Sequence, residues 1–385
     1  MWRSLVLVAT VACGHSSGGV LDVDAAAPRA DAPEVDRSPL EVQALGVQGF
    51  VLRHGSDVVL TAPLFTRQSA IDVALGLPIT PDVAAIDRGL TGVPLDKLRA
   101  VISGHAHYDH FLDVPRVLEA APGATAYTNL TGRHVLAALA PDRPASCTTA
   151  PASPVLARDR VIAMDDPLAS HVDYTNCPDQ RPAGAPLDGS WLAVPDSHVR
   201  VMAFCSMHPA QIGPYHFGVG SIDDDQCDLP AAAAGWLEGQ TLAFVIDFLD
   251  DAGQPAFRVF YQDAPTNAPI GLVPPAILGS TPVDVALLCV GSNDAVQDEP
   301  TSIIDNLKPR FVLSGHWEDF FQPRTAPLQP IIFLDVNTYV QRAETALAAH
   351  PAPAADGELL VDGVERPDRQ VLVQPDTWLT VPARP

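Results

Sequence analysis

From residue 42 onward, apolar and β-branched positions gather in short runs of strand length. VQALGVQGFVLRHG and SDVVLTAP are separated by a Gly-Ser turn and predict a hairpin. LRAVISG, residues 98–104, is another short apolar run. The period then changes. Residues 113–120 and 130–139 have helical spacing, with ATAYTN as a strand between them. Residues 140–190 lose periodicity and are rich in Pro, Asp and Ser, which predicts a loop-rich insertion. Strand runs resume with SWLAVP, HVRVMAFC, TLAFVIDF and FRVFYQ, then VDVALLCV and RFVLSG. A helix is expected over 334–349, and GELLV and RQVLV read as a closing pair of strands. Two series of strands with interspersed helices predict an α/β fold, an αβ/βα sandwich rather than one parallel sheet.

The chain has 385 residues, enough for one large domain or two ordinary ones. Hydrophobic residues reach 47% and charged residues only 18%, which excludes disorder throughout. Lys and Arg total 23 against 46 Asp and Glu, a formal charge of −23. Such a chain repels polyanions, so nucleic acid is excluded as a partner and a small-molecule or lipid-like substrate is expected.

The start of the chain speaks to location. A single positive residue, Arg3, precedes an apolar run from Leu5 to Ala12, and Cys13 follows directly. That pattern resembles the signal of a bacterial lipoprotein, in which the Cys is lipidated, although Thr10 stands where Leu is usual. The run is far shorter than the roughly 20 residues of a spanning helix. Residues 14–40 are rich in Ala, Pro, Asp, Gly and Ser and read as a flexible tether. The expected division is therefore a signal over 1–13, a tether over 14–40 and one domain over 41–385. The protein is expected to be exported and anchored to a membrane, facing the periplasm or the exterior.

Five cysteines remain, Cys147, Cys177, Cys205, Cys227 and Cys289, and none forms a CxxC pair. In an exported protein they are disulfide candidates. Cys147 and Cys177 flank the insertion and are expected to pair. Cys289, in VDVALLCVG, is expected to be a buried thiol, and Cys205 to pack in the core.

The chemistry concentrates in SGHAHYDHFLDVP, which holds His105, His107, Asp109 and His110 within six residues. Three imidazoles and a carboxylate leaving an apolar run on a tight loop are explained most simply by a bound cation. This HxHxDH segment resembles the main metal-binding motif of the metallo-β-lactamase superfamily. It is most similar to the branch of N-acyl phosphatidylethanolamine phospholipase D and the ascorbate-6-phosphate lactonases. The resemblance covers residues 42–345, and later motifs follow in order: His208 after HVRVMAFCSM, Asp263 after FRVFYQ and His316 after RFVLSG, with Trp317 and Phe320 beyond it. It implies a four-layered αβ/βα sandwich of the metallo-β-lactamase fold. It also implies that His105, His107 and His208 hold one ion, that Asp109, His110 and His316 hold another, and that Asp263 bridges them. One departure is visible. The first motif of that family is an Asp-containing turn, and LTAPLF puts Ala62 there.

The resemblance further implies a hydrolase with two divalent ions, zinc first and manganese or iron as alternatives. A metal-bridging hydroxide would cleave an ester, lactone or phosphodiester, with Asp109 and Asp263 as the catalytic carboxylates. His216, close after His208, and Tyr108, in the metal loop, are candidate substrate contacts. His15, His54, His134, His171, His198 and His350 read as solvated or structural. Two rival readings are a surface lipoprotein that keeps the metal-binding fold without catalysis and an iron-dependent oxidoreductase on the same fold.

Overall fold

The computed structural model describes residues 38–151, 155–351 and 357–385. The expected signal, Cys13 and nearly all of the expected tether lie outside the described residues. Among the described residues no helix is long and apolar enough to cross a membrane.

Two sheets form the body. The first runs, in spatial order, Val364–Arg366, Leu359–Val361, Trp378–Val381, Leu40–Gly46, Gly49–His54, Asp57–Thr61, Leu98–Ile102, Thr125–Thr128 and Val161–Ala163. The second runs Gln370–Leu372, Phe311–Gly315, Val285–Cys289, Pro255–Gln262, Leu242–Leu249, Val199–Cys205 and Val172–Asp173. Their inner faces share one core, in which Val42, Phe50 and Ile102 of the first sheet join Val201, Phe244 and Val259 of the second. The outer face of the first sheet is covered by the helices Val83–Gly89, Val114–Ala120 and Leu130–Leu136, through residues such as Ile86, Val117 and Val135. The helices Thr301–Leu307 and Val336–Ala349 cover the second through Ile303, Ile304 and Tyr339. The strands of each sheet alternate their side chains between the two layers, so both faces are apolar and both are covered. This is the four-layered αβ/βα sandwich expected of the metallo-β-lactamase fold.

Three details differ from the sequence reading. The run at 42–55 is two strands, because Gly46 (φ 99°) and Val47 (φ 52°) turn the chain back before Gly49. The second turn is the expected one, with His54 paired to Asp57 across Gly55 and Ser56. The segment 140–190 contributes Val161–Ala163 to the edge of one sheet and Val172–Asp173 to the edge of the other, so it is more than a loop. GELLV and RQVLV do not pair; they enter different sheets, and Trp378–Val381 returns to the first.

The cysteines correct a further expectation. Cys147 is bonded to Cys227, and Cys177 to Cys205. The expected Cys147–Cys177 pair is absent because strands of opposite sheets separate the two residues: Cys177 is buried in the inter-sheet core, while Cys147 lies in a half-exposed loop. Cys205 is in that core, as expected, but as half of a disulfide. Cys289 is free and buried. Peptide mapping without reduction should recover the Cys147–Cys227 and Cys177–Cys205 links. Cys147→Ser, which opens a crosslink spanning 80 residues, should cost about 4 kcal/mol of stability in chemical denaturation. A Cys147–Cys177 peptide, or no loss of stability, would contradict the assignment.

Candidate metal centre

Both sheets send loops to one edge of the sandwich, and the sequence-predicted ligands meet there. The strand Leu98–Ile102 delivers His105 and His107, and the short helix Tyr108–Phe111 carries Asp109 and His110. His208 follows the strand Val199–Cys205, Asp263 follows Pro255–Gln262, and His316 follows Phe311–Gly315. Donor atoms of His105, His107 and His208 lie within 4.8 Å of one another, and so do those of Asp109, His110 and His316. Each set takes ligands from both sheets.

The spacing inside the sets is that of common ligands rather than of hydrogen bonds. Asp109 Oδ2 lies 3.5 Å from His110 Nε2 and 3.4 Å from His316 Nε2. Two ligands bonded to one tetrahedral zinc at about 2.0–2.1 Å sit about 3.3 Å apart. In the first set, His105 Nε2 is buried without a protein partner. A buried polar nitrogen left unpaired is costly, and an ion satisfies it. The residues of each set therefore fit the binding of a divalent metal.

The second nitrogen of each ring in the first set is fixed by a neighbour. His105 Nδ1 is 2.8 Å from Asp263 Oδ1, His107 Nε2 is 3.2 Å from the Gly218 carbonyl, and His208 Nδ1 is 2.6 Å from the Pro209 carbonyl. Each ring that donates there presents its other nitrogen as a lone pair. Burial pushes His107 and His110 down to about 3 and His208 well below its ordinary value, so these rings are neutral and ready to ligate. Burial opposes protonation of His105 as well, but the adjacent Asp263 carboxylate outweighs it and raises that ring. For Asp109, burial is overcome by the neighbouring His110 and His316, which hold the carboxyl well below its usual range.

Asp263 lies between the two sets. One oxygen faces His105, and the other accepts the Gly104 N–H at 2.6 Å and lies 3.3 Å from the Tyr261 hydroxyl. The same oxygen is 4.0 Å from His110 Nδ1, so this carboxylate faces one candidate ligand of each set. Tyr108 is half-buried, its ring packed against the outer apolar layer. His216 is brought to the centre, stacked on His208 with ring centroids 5.5 Å apart. The other described histidines stay out of the two sets; His171 meets Ser190, and His350 meets Asp305.

Sequence reasoning missed Glu238, whose carboxylate lies 2.8 Å from His216 Nε2. It stands alone in WLEG, with no patterned neighbours to announce it. It also missed Asp113. Ala62 offers no carboxylate, yet the loop that follows it is tied to the segment just after the HxHxDH motif. Asp113, just beyond the metal loop, accepts from Phe65 N at 2.7 Å, Thr66 N at 2.9 Å and Thr66 Oγ1 at 2.7 Å.

No family model matches this sequence, and no curated protein matches it. Among solved structures it is similar to Igni18, a metallo hydrolase from the archaeon Ignicoccus hospitalis, at 13% identity over 89% of this chain and 98% of that one, with a TM-score of 0.43. It is similar to the metallo-β-lactamase fold protein YhfI from Bacillus subtilis at 14% identity over 81% and 94%, TM-score 0.42. It is also similar to an isothiocyanate hydrolase from Delia radicum gut bacteria at 12% identity over 89% and 100%, TM-score 0.44. Likeness at these identities concerns the course of the chain alone. The chemistry rests on the side chains described above.

Two predictions follow from the packing around the ligands. A Cβ on Gly104 would lie 2.3 Å from Asp263 Oδ1 and 2.4 Å from the Leu242 carbonyl. Gly104→Ala should therefore weaken zinc binding about ten- to hundredfold in a chelator competition; an unchanged affinity would mean the Asp263–His105 pair is not positioned by this contact. The second concerns Glu299, fully buried, which accepts from Gln262 Nε2 at 2.9 Å and is raised by burial from 4.5 to about 8. The folded state then binds a proton that the unfolded chain releases near 4.5. Its stabilising contribution is full below that pH and is lost as the pH rises through about 8. Glu299→Gln should remove this component, so its melting temperature should gain on wild type between pH 5 and 8 and the gap should then level off. Parallel melting curves across that range would refute the claim.

Proposed function

We propose that this chain is a metal-dependent hydrolase that works with two divalent ions, zinc first and manganese or iron as alternatives, on an ester, lactone or phosphodiester. The observation that carries the reading is the pair of three-donor sets, each with ligand-type spacing, at one edge of the sandwich. When bound, the ions supply Lewis acidity and bring the pKa of a water towards about 7. The chain does the rest. Asp263 and the Gly218 carbonyl hold the His105 and His107 rings in place, and Asp109 keeps a negative charge at the second set.

The surroundings support a small uncharged or lipid-like substrate. Met207, Ile212, Tyr215, Phe217 and Val219 are exposed on the loop that carries His208 and His216. An apolar rim beside a polar centre is suited to substrates with an apolar body. The charge of −23 disfavours polyanions. His216, stacked on His208 and paired with Glu238, is placed to touch the substrate. We also infer that the enzyme is exported and held at a membrane by a lipid on Cys13. The two disulfides support an oxidising compartment.

Elemental analysis of the purified protein should find about two transition-metal ions per chain. Assays on generic ester and phosphodiester substrates then test the site. His107→Ala should abolish turnover, and Asp263→Asn should lower it about ten- to hundredfold. His171→Ala and His350→Ala should leave it unchanged. Equal losses in all four folded variants, or a protein that takes up none of zinc, manganese and iron, would sink the reading.

A further inference from the structure

We propose that a second, outer position for a divalent cation of zinc's class is formed by His208, His216 and Glu238, and that it shares His208 with the first inner set. The donor atoms of these three side chains lie within 4.8 Å of one another. Two imidazoles and one carboxylate with an open fourth position form a recurrent zinc donor set. His216 Nε2 and Glu238 Oε2 are 2.8 Å apart, so the cation replaces the proton that now joins them.

His208 makes the two positions exclusive. Its Nδ1 faces the Pro209 carbonyl at 2.6 Å, which leaves Nε2 as the ligating nitrogen. One lone pair serves one ion, either inward with His105 and His107 or outward with His216 and Glu238. The outer set also differs in donor type and access. The inner set is three imidazoles, whereas Glu238 adds a carboxylate to the outer one. The His216 and Glu238 side chains are 28% and 14% exposed, against 0% for His105. A cation arriving from solvent therefore meets the outer set first and passes inward with His208 as the common ligand.

The backbone holds the outer set to the inner one. The Glu238 carbonyl accepts from Ala106 N, between His105 and His107, at 3.1 Å, and from Asn129 Nδ2 at 2.6 Å. Glu238 N donates at 2.8 Å to the Gly218 carbonyl that also faces His107. The two sets are thus fixed in register.

The inference rests on the dinuclear reading only through the shared His208, and zinc counting separates the two. Each protein is equilibrated with a slight excess of zinc, desalted and analysed. Wild type should hold about two ions. His107→Ala disables the inner set but should still hold about two, the displaced ion resting on His208, His216 and Glu238. His107→Ala/Glu238→Gln should hold about one. Zinc anomalous scattering from His107→Ala crystals should place that ion among the three outer side chains. A drop to about one ion in the single variant, equal to the double, would overturn the outer position. A wild type with one ion or none would instead defeat the dinuclear reading.

If His107→Ala does not fold, the kinetics of loading decide. Metal-free Glu238→Gln should take zinc from a chromophoric chelator about tenfold more slowly than wild type, with its final zinc content unchanged. Equal uptake rates would exclude the outer position as an entry point.

Discussion

The structure depends on one constraint: imidazoles packed together out of water have two ring nitrogens each to satisfy. In the first set one nitrogen of each ring goes to a fixed protein acceptor, a carboxylate for His105 and backbone carbonyls for His107 and His208. The other is left free to ligate, and in His105 it is buried without a protein partner. Neighbouring features serve that division. Gly218 has φ 63°, and a Cβ there would lie 2.7 Å from His107 Nε2, so glycine is what lets the carbonyl-bearing turn close over the ring.

The second set is built by a different device. His316 itself has φ 58°, a left-handed conformation uncommon for a residue with a side chain. Its N–H donates at 2.6 Å to the Val47 carbonyl, and Val47 has φ 52°. Glu318 accepts from Val47 N and pairs with Arg67 at 3.5 Å, so the turn at Val47 braces the loop that carries His316. Local strain at a ligand is sustained here by contacts more than 250 residues away in sequence, Glu318 with Val47 among them.

How much of this was legible in the sequence varied with the kind of order involved. The strand runs and the HxHxDH cluster are local patterns, and they located both sheets and four of the candidate ligands. His208 and His316 could be read because each follows an apolar run and matches a motif in order. What escaped depends on long-range packing. The partner of Cys147 is set by which sheet edge each part of the 140–190 segment joins, and its composition does not encode that. Glu238 reaches the centre because its backbone is fastened to Ala106 and Asn129, and a lone Glu before Gly has no pattern to betray it. The Ala62 gap is informative in the same way. The sequence showed a missing carboxylate, while Asp113 supplied one from the other side of the contact.

Each ligand set takes residues from both sheets: His105 and His107 with His208, and Asp109 and His110 with His316. An ion held this way is a rivet between the two halves of the sandwich. Only the folded chain brings the halves together, so loading and folding are linked equilibria. At a free metal concentration one hundred times its dissociation constant, a bound ion would add about 2.7 kcal/mol to the stability of the folded state. Scarcity of metal would then be felt first as mechanical looseness along the edge where the sheets meet.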